Sequence, residues 1–161
     1  MDALIRDIKD SDAADKSIVF SQWTSTMDLI GRHLHQEFIS FEHIDGNTEI
    51  RRWQETLERL EREHTFSVLI MTTGVGGFGL NLIAANRVFI VEPHWNPSIG
   101  LQVISRTMRI GQLKPVHVTR YIVHDTVEKD IQQLQQRKLQ LAGMARMMDS
   151  TDTSSSFKPE A

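Results

Sequence analysis

The residues best suited to chemistry are two arginines three positions apart, Arg106 and Arg109. Gln102 precedes them by one helical turn, and Gly111 and Gln112 follow. Guanidinium groups stay charged and present planar forks of donors that match phosphate oxygens. Two of them held together on a rigid element suit the stabilisation of charge during phosphoryl transfer. Trp95, Asn96 and Pro97 lie at helical distance upstream, and at this spacing both arginines fall on neighbouring positions of one helix face. The plainer reading is a solvated basic helix surface. The stretch alone does not separate the two.

The order of elements shows what must hold these side chains. A short helix over about residues 2–10 and a polar link, Ser11 to Lys16, precede the buried strand Ser17 to Phe20. Thr24, Ser25 and Thr26 offer capping oxygens to a helix with Met27, Ile30 and Leu34 on one face. A strand from Phe41 to Ile44 closes on the turn at Asp45 and Gly46. The helix from Glu49 to about Glu63 carries an apolar stripe of Ile50, Trp53, Leu57 and Leu60, with the pairs Glu55–Arg59 and Glu58–Arg62 outside. Ser67 to Met71 and Arg87 to Val91 are apolar without alternation, the pattern of strands covered on both faces. Val116 to Ile122 reads as a fifth strand. Asp125 and Glu128 frame a capping box for a last helix with the stripe Val127, Ile131, Leu134 and Leu141. The serine- and threonine-rich run beyond Met148 has nothing to bury and reads as disordered. Alternating strands and helices imply an α/β parallel sheet with helices on both faces, whose ligands sit at the carboxyl ends of the strands.

Composition narrows the classes. A chain of 161 residues is long enough for one domain that buries roughly 68–70% of its unfolded surface. With no cysteine there is no disulfide and no cysteine-bound zinc, and the scattered histidines make no metal-binding helix, so no metal site is expected. No long apolar run suggests a membrane span or leader. The net charge of −3 argues against a simple nucleic-acid coat. It is unevenly spread, however: residues 1–63 hold fourteen acids against eight bases, whereas residues 84–123 hold five bases against Glu92 alone. That segment suggests a phosphate-facing edge.

A glycine-rich loop follows the third strand, running from Thr72 through Gly74, Gly76, Gly77 and Gly79 to Asn81. Gly74 to Gly79 matches GxGxxG, and Glu92 ends the next strand where a dinucleotide fold places its ribose-binding acid. Such a fold needs a whole crossover of at least about 10–12 residues. Only Leu80 to Asn86 remain after the last glycine, which argues against the dinucleotide fold. It leaves a loop that lets backbone amides approach a phosphate or ribose, or a purely structural glycine turn.

Taken in order, these residues and the Val19-to-Trp23 run resemble the second RecA-like lobe of Swi/Snf-type DNA-dependent ATPases. The likeness covers about residues 16–145 and is nearest to the helicase-like transcription factor and postreplication-repair branch, particularly its fungal members. It divides the chain into an N-terminal helix and link (1–16), a RecA-like lobe (17–148) and a tail (149–161). It implies that ATP with Mg2+ binds between two lobes, with Arg109 as an arginine finger, Arg106 as its companion and Gln102 organising the site. Gly77, Gly79 and Asn81 match positions near the nucleotide. Thr72, Trp95, Gln22 and Trp23 match positions lining a double-stranded DNA track. Arg51 and Arg52 read either as DNA contacts or as solvated helix surface, and Trp53 reads as core. A nuclear location follows from the resemblance alone.

Several positions depart from the family pattern. Ser105 and Met108 stand where an aspartate and often a histidine precede the two arginines, and Gly74 stands where a basic residue often touches DNA. Neither a GxxxxGK(S/T) loop nor an acidic magnesium motif occurs in the chain. Both belong to a first lobe, which has to be supplied in cis or in trans. The expectation is half of a DNA translocase, inactive without that lobe. The alternative is a stand-alone, non-catalytic remnant that binds DNA or a partner.

Overall fold

Strands β1 (Ser17–Ser21), β2 (Phe41–Ile44), β3 (Val68–Thr72), β4 (Arg87–Ile90) and β5 (His117–Arg120) form one sheet in the order β2-β3-β1-β4-β5. All neighbours pair in parallel. The computed structural model describes residues 1–12, 14–63, 65–75, 81–123 and 126–152, with side chains to residue 142. The unalternated apolar runs become the three central strands because both of their faces are covered. Ile18, Phe20, Leu69, Met71, Val88 and Ile90 enter one core, and Val19, Val68, Ile70 and Phe89 enter the other.

Helices α1 (Asp2–Lys9) and α2 (Thr24–Gln36) close the second core through Leu4, Ile5, Ile8, Met27, Ile30 and Leu34. Helices α3 (Ile50–Arg62) and α4 (Pro97–Thr107) close the first through Trp53, Leu60 and Val103. Each such fully buried side chain contributes about 1.5–3 kcal/mol. Trp53 is core, as its place in the α3 stripe implies. Tyr121 ties α1 to the end of β5: its hydroxyl donates to Asp7 Oδ2 at 2.6 Å and its ring stacks on Phe89. Burial, then the Asp7 hydrogen bond, raise the Tyr121 phenol above its ordinary range.

Tertiary packing overrides the local reading in four places. The residue capping α2 is Trp23, without a side-chain cap bond, so Thr24, Ser25 and Thr26 lie inside the first turn. Ile50, at the exposed start of α3, is 68% accessible rather than part of the buried stripe. The expected pairs on α3 are replaced: Glu55 bonds Arg51 at 3.0 Å, while Arg59 is drawn to Glu42 on β2 and to Glu63, its guanidinium over the Phe66 ring. A partner on the neighbouring strand thus competes successfully with one on the same helix. Helix α5 (Val127–Asp152) continues past Met148, and Val127, Leu134 and Leu141 of its expected stripe are exposed, because α5 meets the lobe along a narrow strip. The expected capping residue, Asp125, lies outside the described residues, whereas Glu128 reaches back to accept from the Val123 amide at 2.7 Å.

Strand β1 is the hinge of the topology. From β1 the chain leaves through α2 over one face to β2 and β3. From the adjacent β4 it leaves through α4 over the other face to β5. The two connections diverge between β1 and β4, and such a switch point opens a crevice at the carboxyl ends of the strands.

Candidate functional site

At the carboxyl ends of β1 and β4 the chain is cross-braced by one acid. Ser21 Oγ donates to Glu92 Oε1 at 3.2 Å, and the Gln22 amide donates to Oε2 at 3.1 Å. Gln22 Nε2 donates to the Pro93 carbonyl at 3.0 Å. Glu92 therefore serves as a strut across the switch point, with both oxygens engaged by β1, and is not held free for a ribose. This brace sets the loops bearing Trp23 and Trp95 side by side. The two rings are 63% and 58% exposed, unusual for tryptophan.

The Trp95 loop is itself ordered. The Asn96 amide donates to His94 Nδ1 at 3.0 Å, the His94 ring lies against Trp95, and Lys138 Nζ of α5 sits 4.6 Å from the Trp95 ring centroid. Gln135 of α5 donates to the His94 carbonyl. Thr72 ends β3 in register with Ser21, so it belongs to the same edge. Arg52 lies in the first turn of α3, which starts beyond the carboxyl end of β2. It is exposed and makes no ion pair among the described residues. Thr72, Gln22, Trp23, Trp95 and Arg52 are thus gathered at one end of the sheet.

The arginines are elsewhere. Helix α4 starts at the carboxyl end of β4, where Asn96 Oδ1 accepts from the Ser98 amide at 3.0 Å and Pro97 supplies the first turn. It then runs back toward the amino ends. At its far end the Leu82 amide, on the segment entering β4, donates to the Arg106 carbonyl at 3.2 Å. Gln102 and Arg106 occupy one face of α4. The helix stops at Thr107, and Met108 takes φ −89° and ψ 63°, so Arg109 is not on that face but on the turn that follows. The expectation of one helix carrying both arginines is corrected by this break. The break is at Met108 itself, and three residues on Gly111 adopts φ +105°, a positive-φ conformation that suits the turn after the helix.

The two guanidiniums differ in setting. Arg106 is half-buried, and its Nε is a buried donor without a partner among the described residues. Arg109 is exposed, with no hydrogen bond or ion pair to its side chain among the described residues. Gln112 locks the turn: its Nε2 donates to the carbonyls of Ile83 and Ala85, both at 2.9 Å, and its Oε1 accepts from the Lys114 amide at 2.9 Å. Asn81 lies exposed on the same incoming segment, beside Ile50, Trp53 and Glu61 of α3. Gly77 and Gly79 lie outside the described residues.

The basic run between residues 84 and 123 does not make one phosphate-facing edge. Arg87 and Lys114 converge instead on Asp15 in the link before β1, at 3.0 and 3.4 Å, and the Asn86 amide adds a bond at 2.6 Å. Burial pushes the Asp15 carboxyl up, but the bonds from Asn86, Arg87 and Lys114 outweigh it and hold the group below its ordinary value. Nearby Lys16 is shifted down, chiefly by burial, and donates to the carbonyls of Leu60 and Glu63. The bracing roles of Asp15, Glu92 and Gln112 are not legible in the sequence, because each acts through partners distant in the chain. For Gln112 a signal existed in its place directly after the Arg109-Ile110-Gly111 turn.

Comparison with known proteins agrees with this geometry. Residues 1–111 match the helicase conserved C-terminal domain. The chain is 44% identical over 131 residues to the DNA repair protein RAD5B of Arabidopsis thaliana, covering 81% of this chain and 10% of that protein. It is 39% identical over 145 residues to the DNA repair protein rad8 of Schizosaccharomyces pombe, covering 90% of this chain and 13% of that one. It thus spans about a tenth of the length of these curated relatives. The C-terminal part of the Fun30 ATPase domain superposes with a TM-score of 0.79 at 32% identity, over 83% of this chain and 43% of that one. Five parallel strands in this order, helices on both faces and the arginine turn beyond α4 therefore belong together: the chain is a member of the helicase conserved C-terminal domain family, a RecA-like second lobe of the Swi/Snf type.

Proposed function

We propose that this chain is the second lobe of an ATP-dependent translocase on double-stranded DNA, supplying Arg109 across a cleft to a nucleotide held by a first lobe. The observation that supports this most is the setting of Arg109, an exposed guanidinium without a partner among the described residues, on a turn fixed at several points. A cation left unsatisfied on a rigid mount is what transition-state charge requires, because the mount needs no reorganisation when the charge develops. Arg106, with a buried Nε that lacks an acceptor among the described residues, fits as the companion on the phosphate, and Gln102 stands on its face of α4. Bound ATP with Mg2+ supplies the phosphoanhydride and the metal that neutralises its oxygens. The residues present fit only the cationic half of such a site, so the phosphate loop and magnesium ligands come from the first lobe.

In this reading the opposite end of the sheet carries the DNA. Trp23 and Trp95 present exposed faces, Thr72 and Gln22 present polar groups, and Arg52 adds a charge, a set suited to the duplex backbone rather than base edges. Closure of two lobes on ATP and opening after hydrolysis then shifts one backbone contact set relative to the other. Because the two relatives described above are DNA repair proteins, we assign this activity to repair in the nucleus.

The test is reconstitution. The purified chain is expected to show no DNA-stimulated ATPase by itself, and a first lobe from a relative restores it. Arg109→Ala then lowers kcat by about 10³–10⁵-fold, as loss of an arginine finger does in other phosphoryl transfer. Restored activity that survives Arg109→Ala refutes the finger assignment. Nucleotide-free DNA binding without any restored ATPase points instead to a non-catalytic binding module.

A further inference from the structure

Arg109 has no side-chain partner among the described residues, so its position is set entirely by the backbone of its turn. That backbone has few internal supports: the Met108 amide donates to the Ile104 carbonyl at 3.0 Å, and the Gln112 amide to the Arg109 carbonyl at 3.0 Å. Everything else that fixes it comes from the segment leading out of the glycine loop into β4. Gly111 lies against this segment closely enough that an added Cβ would come within 3.3 Å of Ile83 Cδ1. The Gln112 carboxamide closes the contact, bridging the Ile83 and Ala85 carbonyls with one NH2 group while its oxygen takes the Lys114 amide. Two hydrogen bonds from one partly buried side chain join two backbones that, among the described residues, are otherwise linked here by the Leu82–Arg106 bond, and the third ties the same side chain to its own segment.

We propose that Gln112 is a positioning residue for the reaction, a clip that makes the Arg109 turn and the segment after the glycine loop move as one piece. The inference rests on the reading of Arg109 as the finger. Gln112 touches no reacting atom and acts through where it holds Arg109. A finger displaced by about 1 Å is enough to cost on the order of 10²-fold in rate. Gln112→Glu is the sharp variant, since it keeps the shape but turns an NH2 donor into a carboxylate oxygen facing two carbonyls. Gln112→Met keeps the length and removes the donors without adding charge.

The experiment is a double-mutant cycle on DNA-stimulated ATPase in the reconstituted two-lobe protein. Gln112→Met is expected to lower kcat by about 10²-fold while the KM for ATP and DNA binding change little. Added to Arg109→Ala it should cost nothing further, because there is no longer a finger to misplace. Effects that multiply, or an unchanged kcat in Gln112→Met, overturn the proposal. If Arg109→Ala itself leaves kcat intact, the finger reading has failed, and a second measurement on the chain alone judges the clip. In hydrogen exchange, Gln112→Met and Gln112→Glu should each expose the Leu82 and Gln112 amides while those of β1 and β3 keep their protection. Unchanged exchange at Leu82 and Gln112 overturns it.

Discussion

Asp15 precedes β1, yet it receives Arg87 from the start of β4, Asn86 beside it, and Lys114 from the approach to β5. Its side chain is only 9% exposed. Three donors on one carboxylate favour its charged form in the folded chain, so its pKa lies below the ordinary 3.8. The sign follows by linkage. A group with a lowered folded pKa contributes stability that is complete above its unfolded value and is lost as pH falls through the folded one. Asp15→Asn is therefore expected to cost on the order of 1–3 kcal/mol at pH 7, and the deficit should shrink below about pH 4. Urea unfolding of both chains at pH 7, 5 and 3 checks this, and a deficit independent of pH contradicts it. No single-chain pattern announced Asp15. Trp53, by contrast, was legible, since its neighbours at helical spacing are apolar. Burial follows periodicity, and ion pairing follows the meeting of distant segments.

Helix α4 runs from the carboxyl-end cluster around Trp95 to the Arg106–Arg109 turn, so its first and last residues bear on different parts of the proposed site. Asn96 caps the start, and its loss should cost about 0.5–2 kcal/mol. Asn96→Ala is accordingly expected to lower the urea midpoint and to loosen the adjoining Trp95 loop, seen as a change in tryptophan fluorescence. Unaltered fluorescence with lowered stability would separate the cap from the loop. The strand assignments agree with the sequence reading to within one or two residues, because unalternated apolar runs admit little else in a sheet covered on both faces. Helix ends were less legible. A spacing of three places Arg106 and Arg109 together only if the helix continues, and it does not, because the backbone leaves helical geometry at Met108. The stripe of α5 was legible as apolar, but periodicity says nothing of what covers it.

At the scale of the molecule, the residues proposed to face DNA and the arginines occupy opposite ends of one sheet, joined by α4 and by the core beneath it. Under the proposed function, this separation would let a duplex and a nucleotide be engaged together. It also predicts distinct signatures. In the two-lobe protein, Trp23→Ala and Trp95→Ala should weaken duplex binding with an unchanged salt slope, because an aromatic face releases no counterion. Arg52→Ala should reduce the slope by about 0.9 if it contacts one phosphate. Binding isotherms across a salt series decide this, and an unchanged slope for Arg52→Ala returns that residue to the solvated helix surface. None of the three changes should affect nucleotide-linked behaviour at Arg109 directly.

The sequence by itself determined the α/β class, the parallel sheet and the family, since apolar run length, turn residues and motif order are local properties. Which acids would be consumed as struts, which bases would neutralise Asp15, and on which side of a helix end Arg109 would fall were decided only by the tertiary structure. The physical reason is the same in each case. Hydrogen-bonding groups take the partner that folding brings within about 3 Å, and in a parallel sheet that partner comes from a segment remote in sequence: Glu92 for Gln22, Asp15 for Lys114, and Gln112 for Ile83.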